Sequence, residues 1–305
     1  MTSRGGLGRD LPPEWNGIVP TEVFLNEALR IVKLSENSKI TLRIMGGVGI
    51  ALQSRDEQGF AQRLGRLVDG KQEYTDLDFA GLLRERDRIT NFFVDDLKYE
   101  MRKTTLSSAV SQRQIYFHPD GYFSVDILMD KLLIANHPID FRPRLGLDSI
   151  SIPPADLLLE KVQMWESFSE KDLKDCLLLI KAHAISDKSG DNKAIDSKYI
   201  AELLSNDWGF YYTATTNLKR ILTITRDLDN LGKDVNIDPS KIPSSEREDI
   251  ITKTERLLKA IEDHPKSLGW KIRARVGTVK KWYNEVETPS TVGDFGIWRL
   301  RDVKD

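Results

Sequence analysis

Thr41-Leu-Arg-Ile-Met45-Gly46-Gly47-Val48-Gly-Ile-Ala-Leu-Gln53 changes character at its centre. The first five residues have the short apolar composition of a strand. Two glycines interrupt it, and from Val48 the apolar residues run on without alternation, as in a helix. A strand, a glycine turn and a helix in succession let backbone N–H groups at the start of the helix face an anion. The cluster lacks the Lys-Ser/Thr of a Walker loop and the full spacing of a dinucleotide fingerprint, so neither P-loop nor Rossmann chemistry is favoured.

The next strand-like run, Asp76-Leu-Asp-Phe-Ala-Gly81, carries the chemistry. Alternation puts Asp76, Asp78 and Ala80 on one face and Leu77 and Phe79 on the other. Two carboxylates at this spacing repel, and a divalent cation such as Mg²⁺ resolves the repulsion while keeping positions for water and phosphate oxygens. The bland alternative is an edge strand with a solvated face. Asp227-Leu-Asp229 has the same spelling, but it falls in the helical run Leu218 to Leu231, where i and i+2 diverge, and reads as surface. A third carboxylate, Asp126, lies mid-strand in Phe123-Ser-Val-Asp-Ile-Leu-Met129, where an acid is costly without a partner. If that strand runs beside the Asp76 strand, Asp126 completes a cluster able to hold metal or to deprotonate an attacking hydroxyl. Taken alone, it reads as an edge-strand acid.

Outward from this centre, the spacing predicts a helix from Thr21, with Thr21 as its N-cap, and another over Arg84 to Met101. Gln114-Ile-Tyr-Phe117 and Tyr122 to Met129 form a hairpin around His118-Pro-Asp-Gly121. After Ile152-Pro-Pro the pattern is almost wholly helical, over roughly 154 to 168, 170 to 186, 197 to 206, 208 to 230, 240 to 263 and 266 to 286. The fold class is therefore α+β. Residues 1–19 form an irregular arm, 20–150 a mixed β-sheet with flanking helices and 151–305 a mostly α-helical domain.

The chain has 305 residues, with 45 basic and 47 acidic side chains and a net charge of −2, which excludes a global polyanion binder. Its one cysteine, Cys176, cannot form an internal disulfide and sits before Leu-Leu-Leu-Ile as a small hydrophobe, which fits a reducing, cytoplasmic setting. No segment approaches the roughly 18 apolar residues of a membrane span. Lys161 falls on or beside the stripe Leu158, Val162, Trp165. A lysine there needs a reason, and the spacing by itself offers a snorkelling side chain with its head in water. The four histidines show no metal-type spacing, and Trp208-Gly-Phe-Tyr-Tyr212 reads as helix packing or as a base-stacking surface.

Gly46-Gly47, then Asp76-x-Asp78, then Asp126, in that order, resembles the nucleotidyltransferase-fold superfamily. The closer likeness is to the bacterial nucleotidyltransferases related to the AbiEii toxins of type IV toxin–antitoxin systems. It rests on Ile44-Met-Gly-Gly-Val-Gly-Ile-Ala-Leu52, Thr75-Asp-Leu-Asp-Phe79, Val125-Asp-Ile-Leu-Met-Asp130, Leu157-Leu-Leu-Glu-Lys-Val-Gln163 and Glu170-Lys-Asp-Leu-Lys-Asp175, and covers roughly residues 20 to 210. The resemblance implies a nucleotidyltransferase-like sheet and an Mg²⁺- or Mn²⁺-dependent transfer of a nucleoside monophosphate from an NTP. Asp76, Asp78 and Asp126 would be the metal ligands and catalytic residues. Gly46, Gly47, Val48 and Lys161 would meet the nucleotide, with Lys171, Asp172 and Asp175 bordering the same cleft; a solvated helix start is the other reading of those acids. The acceptor would be a tRNA end, a protein or a small molecule, and an antitoxin protein a partner. Two departures stand out: Val48 replaces the usual Ser or Thr after the glycines, and residues 53 to 74 form an insertion. Val48 supports the alternative of a catalytically silent nucleotide-binding or scaffold protein of the same fold. Between Lys253 and Lys281, nine basic residues against three acidic give +6, a candidate RNA-guiding surface or a solvated helix pair.

Overall fold

A computed structural model describes residues 11–66, 72–102, 112–132 and 136–284. Residues 1–10 of the expected arm, 67–71 of the 53–74 insertion and the chain from 285 onward lie outside the described residues. The described residues gather into two compact units, one of 11–48, 72–102, 112–132 and 136–145, the other of 49–66 and 146–284.

The first unit is built on a mixed five-stranded sheet. Its strands are β1 (Leu42–Met45), β2 (Asp76–Gly81), β3 (Glu100–Met101), β4 (Arg113–Phe117) and β5 (Ser124–Met129), in the spatial order β1-β2-β5-β4-β3. All neighbours are antiparallel except β2 and β5, which run parallel. The hairpin β4-β5 turns where the His118-Pro-Asp-Gly121 signal places it: His118 and Phe123 close the ladder, and Gly121, at φ +72°, takes the left-handed position.

One face of this sheet is core. Leu42, Ile44, Leu77, Phe79, Val125, Ile127 and Tyr116 are all fully buried. The helix Thr21–Asn37 packs on β1 and β2, with Phe24 against Phe123 and Tyr74, and Phe93 stacks on Tyr116. Two expectations need correction here. Thr21 is the first helical residue rather than the cap, because Pro20 holds the entry and the Thr21 hydroxyl donates to Glu73. The helix expected over Arg84 to Met101 is short, Arg86–Asn91, and widens into a π-helical turn, Phe92–Asp96, closed by Leu97 N–H to the Phe92 carbonyl. The extra residue in that turn brings both Phe92 and Phe93 into the core, and the chain then leaves as β3.

The second unit is mostly helical. Pro154–Val162, Glu170–Ala182, Ser197–Asn206, Trp208–Arg226 and Ser244–Asp263 pack together, and Leu268–Val276 lies on the third and fourth of these. Asp196 and Asp207 cap the helices that follow them, and Ser169 with Asp172 forms a capping box. The helix from Pro154 stops at Val162, well before the expected 168, because buried Asn217 donates to the carbonyls of Val162 and Met164 at 2.9 and 2.6 Å and takes them out of the helical ladder. Trp165 therefore lies beyond the helix and packs on Tyr212 and Trp282. The run to 230 is likewise broken at Asp227. Trp208 and Tyr212 stack on each other within the aromatic cluster, so this segment packs helices. No helix among the described residues is long and apolar enough to cross a membrane.

Cys176 is fully buried, and burial raises its thiol well above the usual range. We expect native protein at pH 8 to resist iodoacetamide and to be alkylated rapidly once denatured; rapid labelling of the native protein would contradict this packing.

Candidate active site

The polar face of the first unit's sheet is where the acids meet. The parallel register of β2 and β5 sets Asp78 opposite Asp126 and Asp76 opposite Ser124, so the side-chain alternation puts all three carboxylates on one face. Asp76 and Asp78 are half-buried, while Asp126 is 8% exposed. Thr75 donates its hydroxyl to Asp76 at 3.0 Å.

Gly46 completes this corner from β1. Met45 pairs with Asp78, so the chain turns into the helix Gly46–Gln53 directly beside that carboxylate. Gly46 has φ +66°, and a Cβ there would land on Asp78 Oδ2. Glycine is thus required twice, for the left-handed backbone and for the close approach. Gly47 is half-buried and Val48 is 2% exposed, its side chain in the core.

The sequence reading missed Arg113. Its guanidinium grips Asp126 from β4, Nε standing 2.9 and 2.8 Å from the two carboxylate oxygens and Nη2 bonding Oδ2 as well. The antiparallel register explains the reach: Ile115 lies opposite Asp126, and Arg113, two residues away, is its diagonal neighbour on the same face. Burial pushes the Asp126 carboxyl above its usual range; Arg113 pulls it back down and Asp76 adds to the upward push. Burial also lowers Arg102, with Arg113 adding repulsion and Asp126 opposing it.

For a divalent cation the donor set divides. Asp76 and Asp78 supply half-exposed hard oxygens of the kind Mg²⁺ takes. Asp126 has both oxygens on Arg113, and among the described residues no three His, Cys, Asp or Glu side chains are gathered to hold an ion.

The remaining expected residues belong to the second unit. Lys161 stands 3.5 Å from Asp172, 3.4 Å from Asp175 and 4.0 Å from Glu160, and its side chain is only 13% exposed, so its head does not snorkel into water. Asp175, 1% exposed, is also bonded by Arg66 at 2.5 Å. It is therefore not on a solvated helix start, and Asp172 divides its carboxylate between Lys161 and the Ser169 cap. Lys171 is exposed. In the +6 segment, five of the nine basic residues make side-chain contacts, exposed Lys259 and Lys281 among them, the latter over the Tyr283 ring. Arg273 packs over Trp208 and bonds Gly277 and Lys280 carbonyls, Lys266 bonds the carbonyls of Ile261 and His264, and Lys253 and Lys259 pair with Asp249 and Asp263. Asp229 pairs with Arg247.

No known family's sequence pattern, no curated protein and no solved structure matches the chain.

Two substitutions check this geometry. Gly46→Ala forces a left-handed alanine against Asp78 and should cost at least about 1–2 kcal/mol in denaturant unfolding; wild-type stability would contradict the close approach. Lys161→Ala leaves buried Asp175 with one cation fewer and should cost roughly 1–3 kcal/mol, whereas a solvated lysine would change stability by less than about 0.5 kcal/mol.

Proposed function

We propose that the chain is a metal-dependent nucleotidyltransferase that moves a nucleoside monophosphate from an NTP to an acceptor hydroxyl. One observation carries this reading: the β2·β5 register sets Asp78 opposite Asp126, with Asp76 on the same face and Gly46 against the Asp78 carboxylate. Three acids are costly together on a sheet face unless cationic partners offset them, and a magnesium triphosphate is such a partner.

In this reading Asp76 and Asp78 hold the ion, Mg²⁺ or Mn²⁺. When bound, the ion would supply charge neutralisation at the triphosphate and at the oxygen that leaves. Backbone N–H groups at Gly46 and Gly47 face the phosphates. The acceptor oxygen bonds to the α-phosphorus, the bond from that phosphorus to the β-phosphate oxygen breaks, pyrophosphate departs with the electron pair, and the acceptor's proton passes to a base. The acceptor is an RNA end such as that of tRNA, a protein hydroxyl or a small molecule, with an antitoxin protein as a further partner in the AbiEii-like reading. Exposed Arg256, Lys271, Arg275 and Lys280 are what remains in the +6 segment to guide RNA. Lys161 keeps its proposed phosphate role only if it exchanges its carboxylates for the ligand.

Val48 favours a second reading, a protein of this fold that binds nucleotide without turnover, because a buried valine supplies no hydroxyl to the phosphates.

The test is incubation with each labelled NTP and Mg²⁺, with and without total tRNA. Label should enter RNA or protein, and Asp78→Asn should abolish it in a folded protein while Asp229→Asn leaves it unchanged. Nucleotide binding without transfer would favour the second reading. Transfer by Asp78→Asn at the wild-type rate would defeat the first.

A further inference from the structure

A two-metal site needs a carboxylate shared between ions, and here the third carboxylate is already bound. Asp126 lies deep in the sheet face, its side chain 11% exposed, and gives both oxygens to a guanidinium whose own side chain is 19% exposed. The grip is bidentate, from a residue on the adjoining strand of the same sheet, so rigid backbone fixes both partners. Guanidinium remains protonated at any ordinary pH and matches the planar fork of a carboxylate or phosphate, so it supplies a permanent positive charge at this position. The other two acids, Asp76 and Asp78, sit half-buried on the neighbouring strand.

We propose that this is a one-metal site in which Arg113 supplies the second positive charge to the phosphates and Asp126 acts as its positioning residue, neither metal ligand nor base. The ligand class is a magnesium polyphosphate. The inference rests on the nucleotidyltransferase reading for its ion at Asp76 and Asp78. It departs from that reading at Asp126, which the family resemblance makes a ligand.

The charge arithmetic selects the test. Asp126→Asn with Arg113→Gln removes one negative and one positive charge together, leaves two amides able to bond each other, and so keeps the local balance. Mn²⁺ binding to the full chain is followed by electron paramagnetic resonance and calorimetry, and tripolyphosphate binding is then measured in Mg²⁺. Wild type should bind one Mn²⁺, and the double variant should also bind one, with Kd within about threefold, a difference below about 0.7 kcal/mol. Its tripolyphosphate affinity should fall about tenfold, because the positive charge beside the phosphates is gone. Asp78→Asn should lose the ion.

Two Mn²⁺ in wild type, or loss of the ion in the folded double variant, would make Asp126 a ligand and overturn the inference alone. Unchanged tripolyphosphate affinity would also overturn it, by removing Arg113 from the phosphates. A wild type that binds no Mn²⁺ would instead defeat the metal reading of the whole site. Should the double variant not fold, Arg113→Gln alone removes the charge. It should still bind one Mn²⁺ and show weakened tripolyphosphate binding, and wild-type affinity there would count against the proposal.

Discussion

Asp78 and Asp126 face each other across the parallel pair β2·β5, and Asp76 stands on the same side. Like charges set side by side repel, and the opposite face of these strands is fully buried by Leu77, Phe79, Val125 and Ile127, so a one-residue slip would drive the acids into the core. The register is thus fixed by the apolar face, while its electrostatic cost falls on the polar one. Arg113 offsets part of that cost at Asp126. Asp76 and Asp78 stand half-buried on the same face, the position at which the proposed cation would offset the rest.

Gly46 belongs to the same constraint. β1 is antiparallel to β2 and ends opposite Asp78, so whatever follows Met45 must pass close to a carboxylate. A left-handed glycine makes that passage and starts a helix at once. The resulting corner joins helix-start N–H groups to an acid-bearing strand, an arrangement that suits an anion carrying its own cation.

The acid-bearing strand face and the hairpin turn were legible in the sequence. Period-2 alternation in Asp76–Gly81 and the turn residues at His118 to Gly121 are local signals, and local signals survive folding. The register of β2 with β5 was only conditional in the sequence, since strands far apart in the chain choose neighbours by packing. Arg113 was illegible for the same reason: its partner is a diagonal neighbour across a hairpin, and nothing in Arg-Gln-Ile-Tyr-Phe marks it. Acids at the start of a helix usually complement its dipole, which is how Asp175 reads until its burial against Arg66 and Lys161 is seen. Helix ends were misplaced where a tertiary bond decided them, as Asn217 does at Val162. In the basic run between Lys253 and Lys281, aromatic rings and backbone carbonyls engage Arg273 and Lys266, contacts that a count of charges does not show.

The most direct test of the account is a crystal structure of the protein soaked with Mn²⁺ and tripolyphosphate, read by anomalous scattering. The account predicts a single metal peak at Asp76 and Asp78, with tripolyphosphate on the same sheet face beside Arg113 while Asp126 still holds the guanidinium. An Mn²⁺ coordinated by Asp126, or tripolyphosphate bound away from this face with no metal at Asp76 and Asp78, would contradict it.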